Sequence, residues 1–313
     1  MRRPTVSGAL CMASVLAVVL TSCTSGAIPP APPRDWARPP ITVASFDFPE
    51  SELLADIYAQ ALRAKGYPVE VLPGVGSREL VEPALARGLI QFVPEYQGSA
   101  LAFLTLGESQ GSPDPAATHR ALAEALGIRD IVATEPAPAQ DANAIVVTEA
   151  TALRYGLHSI SDLRPVASKL AFGGPKECPL RPFCLLGLER TYGLRFEQFI
   201  PLDTGGPLTL QALAAGEIDV AVLFTTDPSI PEQHLVALTD DRRLQPAENV
   251  TPLLRRDIVA RYGSGLIELV NSVSSRLTTD QLRSMNSAMS VGGRPPAAVA
   301  RGWLQSQGLV QGT

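Results

Sequence analysis

No stretch of the sequence matches HExxH, GxSxG or GxxxxGK(S/T), so it offers no zinc-protease helix, nucleophile elbow or phosphate loop. Its three histidines, His119, His158 and His234, are too scattered to hold a metal together. There is no polybasic run, and the formal charge of −5 argues against nucleic acid as a partner. The acidic pair Asp240-Asp241 reads as a solvated turn, and no nucleophile–base set is visible. Gly74-Val-Gly-Ser-Arg-Glu79 has two glycines of a dinucleotide fingerprint and lacks the third. It reads better as a helix N-terminus whose free N–H groups face a cleft. No cofactor and no metal are expected. What remains is a chain of 313 residues, 45% hydrophobic and 18% charged, with enough apolar material for two cores.

Cysteine is scarce too, and each of the four has a separate reading. Arg2 and Arg3 followed by the apolar run ALCMASVLAVVL form a signal peptide over residues 1–22, which removes Cys11. The run is too short to span a membrane as a mature helix. Leu20-Thr-Ser-Cys23 resembles the bacterial lipobox, which implies that Cys23 becomes the lipidated first residue; a buried or free cysteine beside an ordinary cleavage site is the alternative. Several acyl chains would anchor the protein stably, at about 0.8 kcal/mol per buried CH₂. The next stretch, TSGAIPPAPPRDWARPP, is Pro-rich and aperiodic, so residues 23–40 are expected to form a semi-extended tether of about 3 Å per residue. Cys178 and Cys184, in ECPLRPFC, read as a disulfide closing a small loop in an oxidising compartment.

The folded part is expected to begin near Ile41. ITVASF is a strand; Leu54, Ile57, Tyr58, Ala61 and Leu62 then recur at helical spacing until Gly66 stops the helix. PVEVLP is a strand, GVGSRELVEPALARG a helix between glycines, and IQFVPEY a third strand. This β-α-β-α-β order predicts parallel strands with helices on both faces, and ligand binding at the carboxyl ends of the strands. SFDFPES, PGVGSRE and PEYQGS all lie at such ends. ALARGLIQFV and ALAAGEIDVA repeat one helix–glycine–strand pattern, which predicts a second α/β unit with strands at LAFGG, FEQFIPLD and IDVAVLF. VTPLLRR and the helical segments to Trp303 are too small for a domain and are expected to return to the first lobe. The expectation is an α/β clamp: lobe 1 from 41–143, completed by 249–313, lobe 2 from 144–248, and two crossovers as a hinge.

SFDFPES, ALARGLIQFVPEYQGS, YGLHSISDL, GEIDVAVLFTTD and LTDDRRLQPAENVTPL, in that order, resemble the substrate-binding proteins of ABC importers for quaternary amines. These are the glycine betaine/choline/proline osmoprotectant binders, whose fold is the two-lobed periplasmic-binding-protein clamp. The resemblance implies that Tyr96, in PEYxG(S/T), is one wall of an aromatic box that holds a trimethylammonium by cation–π attraction, about 0.5–2 kcal/mol per ring. It implies that Ser99 helps hold a ligand carboxylate and that Arg181 grips one across the cleft. The other walls depart from the family. Asn143, in Asp141-Ala-Asn143, stands for a tyrosine, Phe224 lacks a hydroxyl, and Glu248 replaces a ring. Phe46, followed by Asp47, takes the place of a basic or polar residue.

The resemblance therefore implies a thinned cage that still suits a cation, held by Asp141, Glu248 and Asp47 as well as by Tyr96 and Phe224. Each residue has a plainer alternative: Phe224 as core, Glu248 facing solvent, Arg181 paired with Glu177. The expected function is a lipid-anchored receptor on the extracytoplasmic face of the cell membrane. It would capture a small cationic or zwitterionic solute for an ABC permease and perform no chemistry. The alternative is an orphan sensory or partner-binding lipoprotein that kept the clamp and left transport.

Overall fold

The computed structural model describes residues 39–311. The signal peptide, Cys23 and nearly all of the Pro-rich tether lie outside the described residues. Ten strands form two five-stranded sheets among them. The first sheet holds β1 (Ile41–Ala44), β2 (Val69–Leu72), β3 (Phe92–Tyr96), β4 (Ile131–Ala133) and β10 (Val250–Arg255), in the order β2-β1-β3-β10-β4. The second holds β5 (Asn143–Thr148), β6 (Ala171–Pro175), β7 (Gln198–Leu202), β8 (Val220–Phe224) and β9 (Leu235–Ala237), in the order β7-β6-β8-β5-β9.

The opening helices follow from their side chains. In α1 (Pro49–Ala64), Leu53, Leu54, Ile57, Tyr58, Ala61 and Leu62 are buried, and Pro at the first helical position fits where no intrahelical N–H is needed. Gly66 ends the helix region with φ +83°, which an L side chain rarely adopts. α2 is Arg78–Ala86, α3 is Gln97–Leu104 and α4 is Pro115–Leu126. β3 is buried at all five positions, as a central strand covered on both faces must be. One face of the first sheet packs against α1 and the C-terminal helices Ser264–Ser274, Thr279–Ser290 and Pro296–Ser306. The other packs against α2, α3 and α4. Tyr58, deep in the first core, bonds through its hydroxyl to Ser274 at 2.9 Å.

The parallel arrangement predicted from the β-α-β-α-β order holds for β1, β2 and β3 and recurs in the second sheet for β6, β7 and β8; it fails at β10 and β5. β10 runs antiparallel to β3 and β4, and β5 runs antiparallel to β8 and β9. These two strands bring the chain from one sheet into the other. They enter at the carboxyl ends of their neighbours, without a helical crossover to return them to the far edge. β4 and β9 have three residues each, too few for a readable period.

Among the described residues no helix is long and apolar enough to cross a membrane. Cys178 and Cys184 are joined in a disulfide, with Cα atoms 5.2 Å apart. Asp240 and Asp241 form a turn, as expected. Asp240 accepts from the Tyr192 hydroxyl and from the amides of Leu244 and Gln245, and Asp241 accepts from Ser161 N.

Candidate ligand-binding cleft

A cavity of about 430 Å³ opens where strand ends of the two sheets face each other. From the first sheet it takes Phe46, Asp47 and Phe48 after β1, Tyr96 at the end of β3 and Ser99 in α3. From the second it takes Asn143 at the start of β5 and Phe224 at the end of β8, which are direct cross-strand partners. Asp141, Arg181 and Glu248 complete the set, so all nine candidate ligand residues line one cavity.

Their surroundings differ from what sequence alone suggests. Tyr96 is 6% exposed, and its hydroxyl donates to Glu50 Oε1 at 2.6 Å. Burial first, then Glu50 and Asp141, pushes its phenol pKa well above the ordinary value, so the group stays a donor. Glu50 Oε2 also accepts from Thr226 Oγ1 and Asn286 Nδ2, both at 2.5 Å. Thr226 follows β8, so this carboxylate on α1 ties the two sheets together. Asp141 Oδ1 accepts from Thr225 Oγ1 and Thr226 N, both at 3.0 Å. Its burial, with Glu50 nearby, drives its pKa well above the usual carboxylate range despite those bonds.

Asn143 donates from Nδ2 to Phe183 O at 2.9 Å, so it braces the loop beside the disulfide. Phe46 is buried and covered by the Arg78 guanidinium, 5.1 Å from its ring centre. Asp47 is exposed at the rim. Phe224 is half-buried on the cavity wall. Arg181 pairs with Glu79 of α2, not with Glu177: its Nη2 lies 2.9 Å from Glu79 Oε2, and the guanidinium covers Phe103 at 5.6 Å. Glu177 is 3.8 Å from Lys176 instead.

Glu248 faces neither solvent nor a bare hole. It is 3% exposed and caps α3, accepting from Gly98 N at 3.1 Å, Ser99 N at 3.0 Å and Ser99 Oγ at 2.7 Å. Gly98 permits this approach: a Cβ there would lie 2.3 Å from Pro246 Cγ and 3.0 Å from Ala247 O. Burial pushes the Glu248 pKa up to about 7, against the Ser99 bonds and the nearby Arg78.

Sequence reasoning passed over Phe48, Glu50, Arg78 and Glu95. Phe48 is the hub of the aromatic wall. Its ring lies 5.4 Å from Phe224, 6.0 Å from Phe46 and 6.2 Å from Tyr96, stacked on each. It belongs to SFDFPES, so the signal was present. Arg78 holds Glu95 through Nε at 2.5 Å and Nη2 at 2.9 Å, a bidentate pair beneath the cavity.

The chain matches the family model of the substrate-binding domain of ABC-type glycine betaine transport systems over residues 39–306. It is 26% identical to a glycine-betaine-binding protein of Pseudomonas aeruginosa, an alignment covering 86% of this chain and 88% of that one. It is 23% identical to the carnitine transport binding protein OpuCC of Listeria monocytogenes, covering 87% and 88%. A solved structure of a glycine betaine/carnitine/choline ABC transporter superposes with a TM-score of 0.67 at 22% identity, covering 86% of this chain and 99% of that one. The chain thus belongs to the substrate-binding proteins of the glycine betaine ABC-transporter family, two-lobed α/β clamps that bind solute and are not enzymes.

Proposed function

We propose that this protein captures a small quaternary ammonium solute outside the cytoplasm and presents it to an ABC permease. The observation that carries this is the composition of the cavity wall. Tyr96, Phe48 and Phe224 give aromatic surface, and the buried carboxyl groups of Asp141 and Glu248 line the same cavity. An aromatic face attracts a cation by about 0.5–2 kcal/mol, more as water leaves, and Glu248, once ionised, adds charge of the right sign. The aromatic cage is recast: Phe48 adds ring surface where Asn143 and Glu248 withhold it.

The moving bodies in this reading are residues 41–143 with 249–313, and residues 144–248. Closure brings Thr226 to Glu50 and Arg181 to Glu79, contacts that join the two bodies. Cys23 supplies the lipid anchor and the Pro-rich segment the tether. Calorimetry with choline, glycine betaine, carnitine, proline betaine and spermidine tests the function. Saturable binding of one or more quaternary amines, with the ligand recovered intact, is expected. Binding of none of them, or turnover of any, would overturn it.

A further inference from the structure

Three groups in the cleft able to hold a ligand's carboxylate already hold one of the protein's own. The start of α3 presents three donors, Gly98 N, Ser99 N and Ser99 Oγ, and Glu248 takes all three. Arg78 is engaged by Glu95 through two nitrogens. Arg181 is engaged by Glu79 at 2.9 Å. Arg190, the other arginine of the lining, is solvent-exposed, where an ion pair contributes only about 0–1 kcal/mol.

An arriving carboxylate would meet the opposite of a receptor site. It would lie beside Asp141 and Glu248, both at most 5% exposed, and two desolvated carboxylates at close range resist joint ionisation. To reach the α3 donors it would first have to displace Glu248, whose entry is built into the fold by the contact between Gly98 and Pro246. A cation without a carboxylate escapes both costs and gains from Glu248 when that group is ionised.

We infer that the cleft selects quaternary ammonium cations that carry no carboxylate, such as choline, over zwitterionic betaines. Glu248 is the residue that sets the preference, by acting as a built-in substitute for the ligand's carboxylate. The inference rests on the cleft being the quaternary-amine site proposed above. It adds a sign of discrimination that an aromatic wall alone does not provide, because choline and glycine betaine present the same trimethylammonium.

Calorimetry of the purified protein with choline and with glycine betaine, repeated on Glu248→Ala and Glu248→Gln, tests it. The wild-type protein is expected to bind choline at least tenfold more tightly than glycine betaine. Glu248→Ala frees the three donors, so glycine betaine should gain and the ratio should fall at least tenfold. Glu248→Gln removes the charge and keeps the bulk, so the ratio should fall through a loss of choline affinity alone. If Glu248→Ala does not fold, Glu248→Gln decides. Glycine betaine bound as tightly as choline by the wild-type protein overturns the inference and leaves the proposed function standing. An unchanged ratio in the folded variants also overturns it. Binding of neither ligand overturns the inference, and binding of none of the five amines tested above overturns the proposed function as well.

Discussion

The Tyr96 hydroxyl donates to Glu50 at 2.6 Å, so the ring on the cleft wall is held from behind by a carboxylate that also accepts from Thr226 and Asn286. Ring and hydroxyl therefore do different work. Tyr96→Phe should leave choline affinity within about twofold and destabilise the fold by roughly 1.5–3 kcal/mol, because Glu50 loses a donor. Tyr96→Ala should weaken binding at least about tenfold, since it removes the π face as well. Calorimetry alongside thermal melts separates the two effects. A large affinity loss in Tyr96→Phe would instead make the hydroxyl a ligand contact.

Stability should fall as pH rises from about 5 to about 8. Glu82 is buried and neither carboxyl oxygen meets a donor; burial, then the adjacent Glu95, pushes its pKa up to about 8. Glu248 is pushed up to about 7 by burial. An unfolded chain releases the same protons near pH 4.3. Between those values the folded state binds more protons, so raising pH favours unfolding, by a few kcal/mol at most on the order of these shifts. Glu82→Gln should raise the melting temperature at pH 8 and flatten the slope. A melting temperature that climbs from pH 5 to pH 8 would contradict this.

Choline affinity should move the other way. Glu248 is faced by Gly98 and Ser99 of α3, with Arg78 of α2 and Glu95 of β3 acting on its charge. A cation in the cleft favours its ionised form. Affinity should therefore rise up to about tenfold between pH 6 and pH 8, with proton release on binding near pH 6.5. Equal affinity at both pH values, with no buffer-dependent heat, would show that Glu248 does not sense the ligand.

The disulfide loop offers a mechanical test. Cys178 and Cys184 flank Arg181, whose guanidinium reaches Glu79 on α2. Arg181→Ala should weaken binding about two- to fivefold and leave the melting temperature nearly unchanged, because a partly exposed pair contributes about 0–1 kcal/mol. Reduction should weaken binding in the same direction and cost about 2–3 kcal/mol of stability, as a short loop constrains the unfolded chain only modestly. Mass spectrometry finding both thiols free in the exported protein would end this prediction.

Much of the scaffold was readable because it rests on local pattern. The spacing of Leu54, Ile57 and Leu62 gives α1, and the apolar runs before PEYQGS and TTD give β3 and β8. The cleft was partly readable: the candidate residues lie at strand ends, where the topology gathers them. Their partners were not. Glu248 meets Ser99 across 149 residues, and Tyr96 meets Glu50 across 46, so no window of sequence carries either bond. Glu50 also sits in the first turn of α1, where an acidic residue reads as a complement to the helix dipole. Gly98 looks like a turn glycine, and its requirement comes from Pro246 pressing against it.

The central claim is that the aromatic and carboxylate wall around Tyr96 holds a cation. A crystal structure of the protein with choline tests this most directly. The expected result is one choline in the cavity, its nitrogen within about 6 Å of the ring centre of Tyr96, Phe48 or Phe224 and its hydroxyl turned toward Glu248 or Asp141. Choline seated away from all three rings, or an empty cleft at saturating choline, would contradict it.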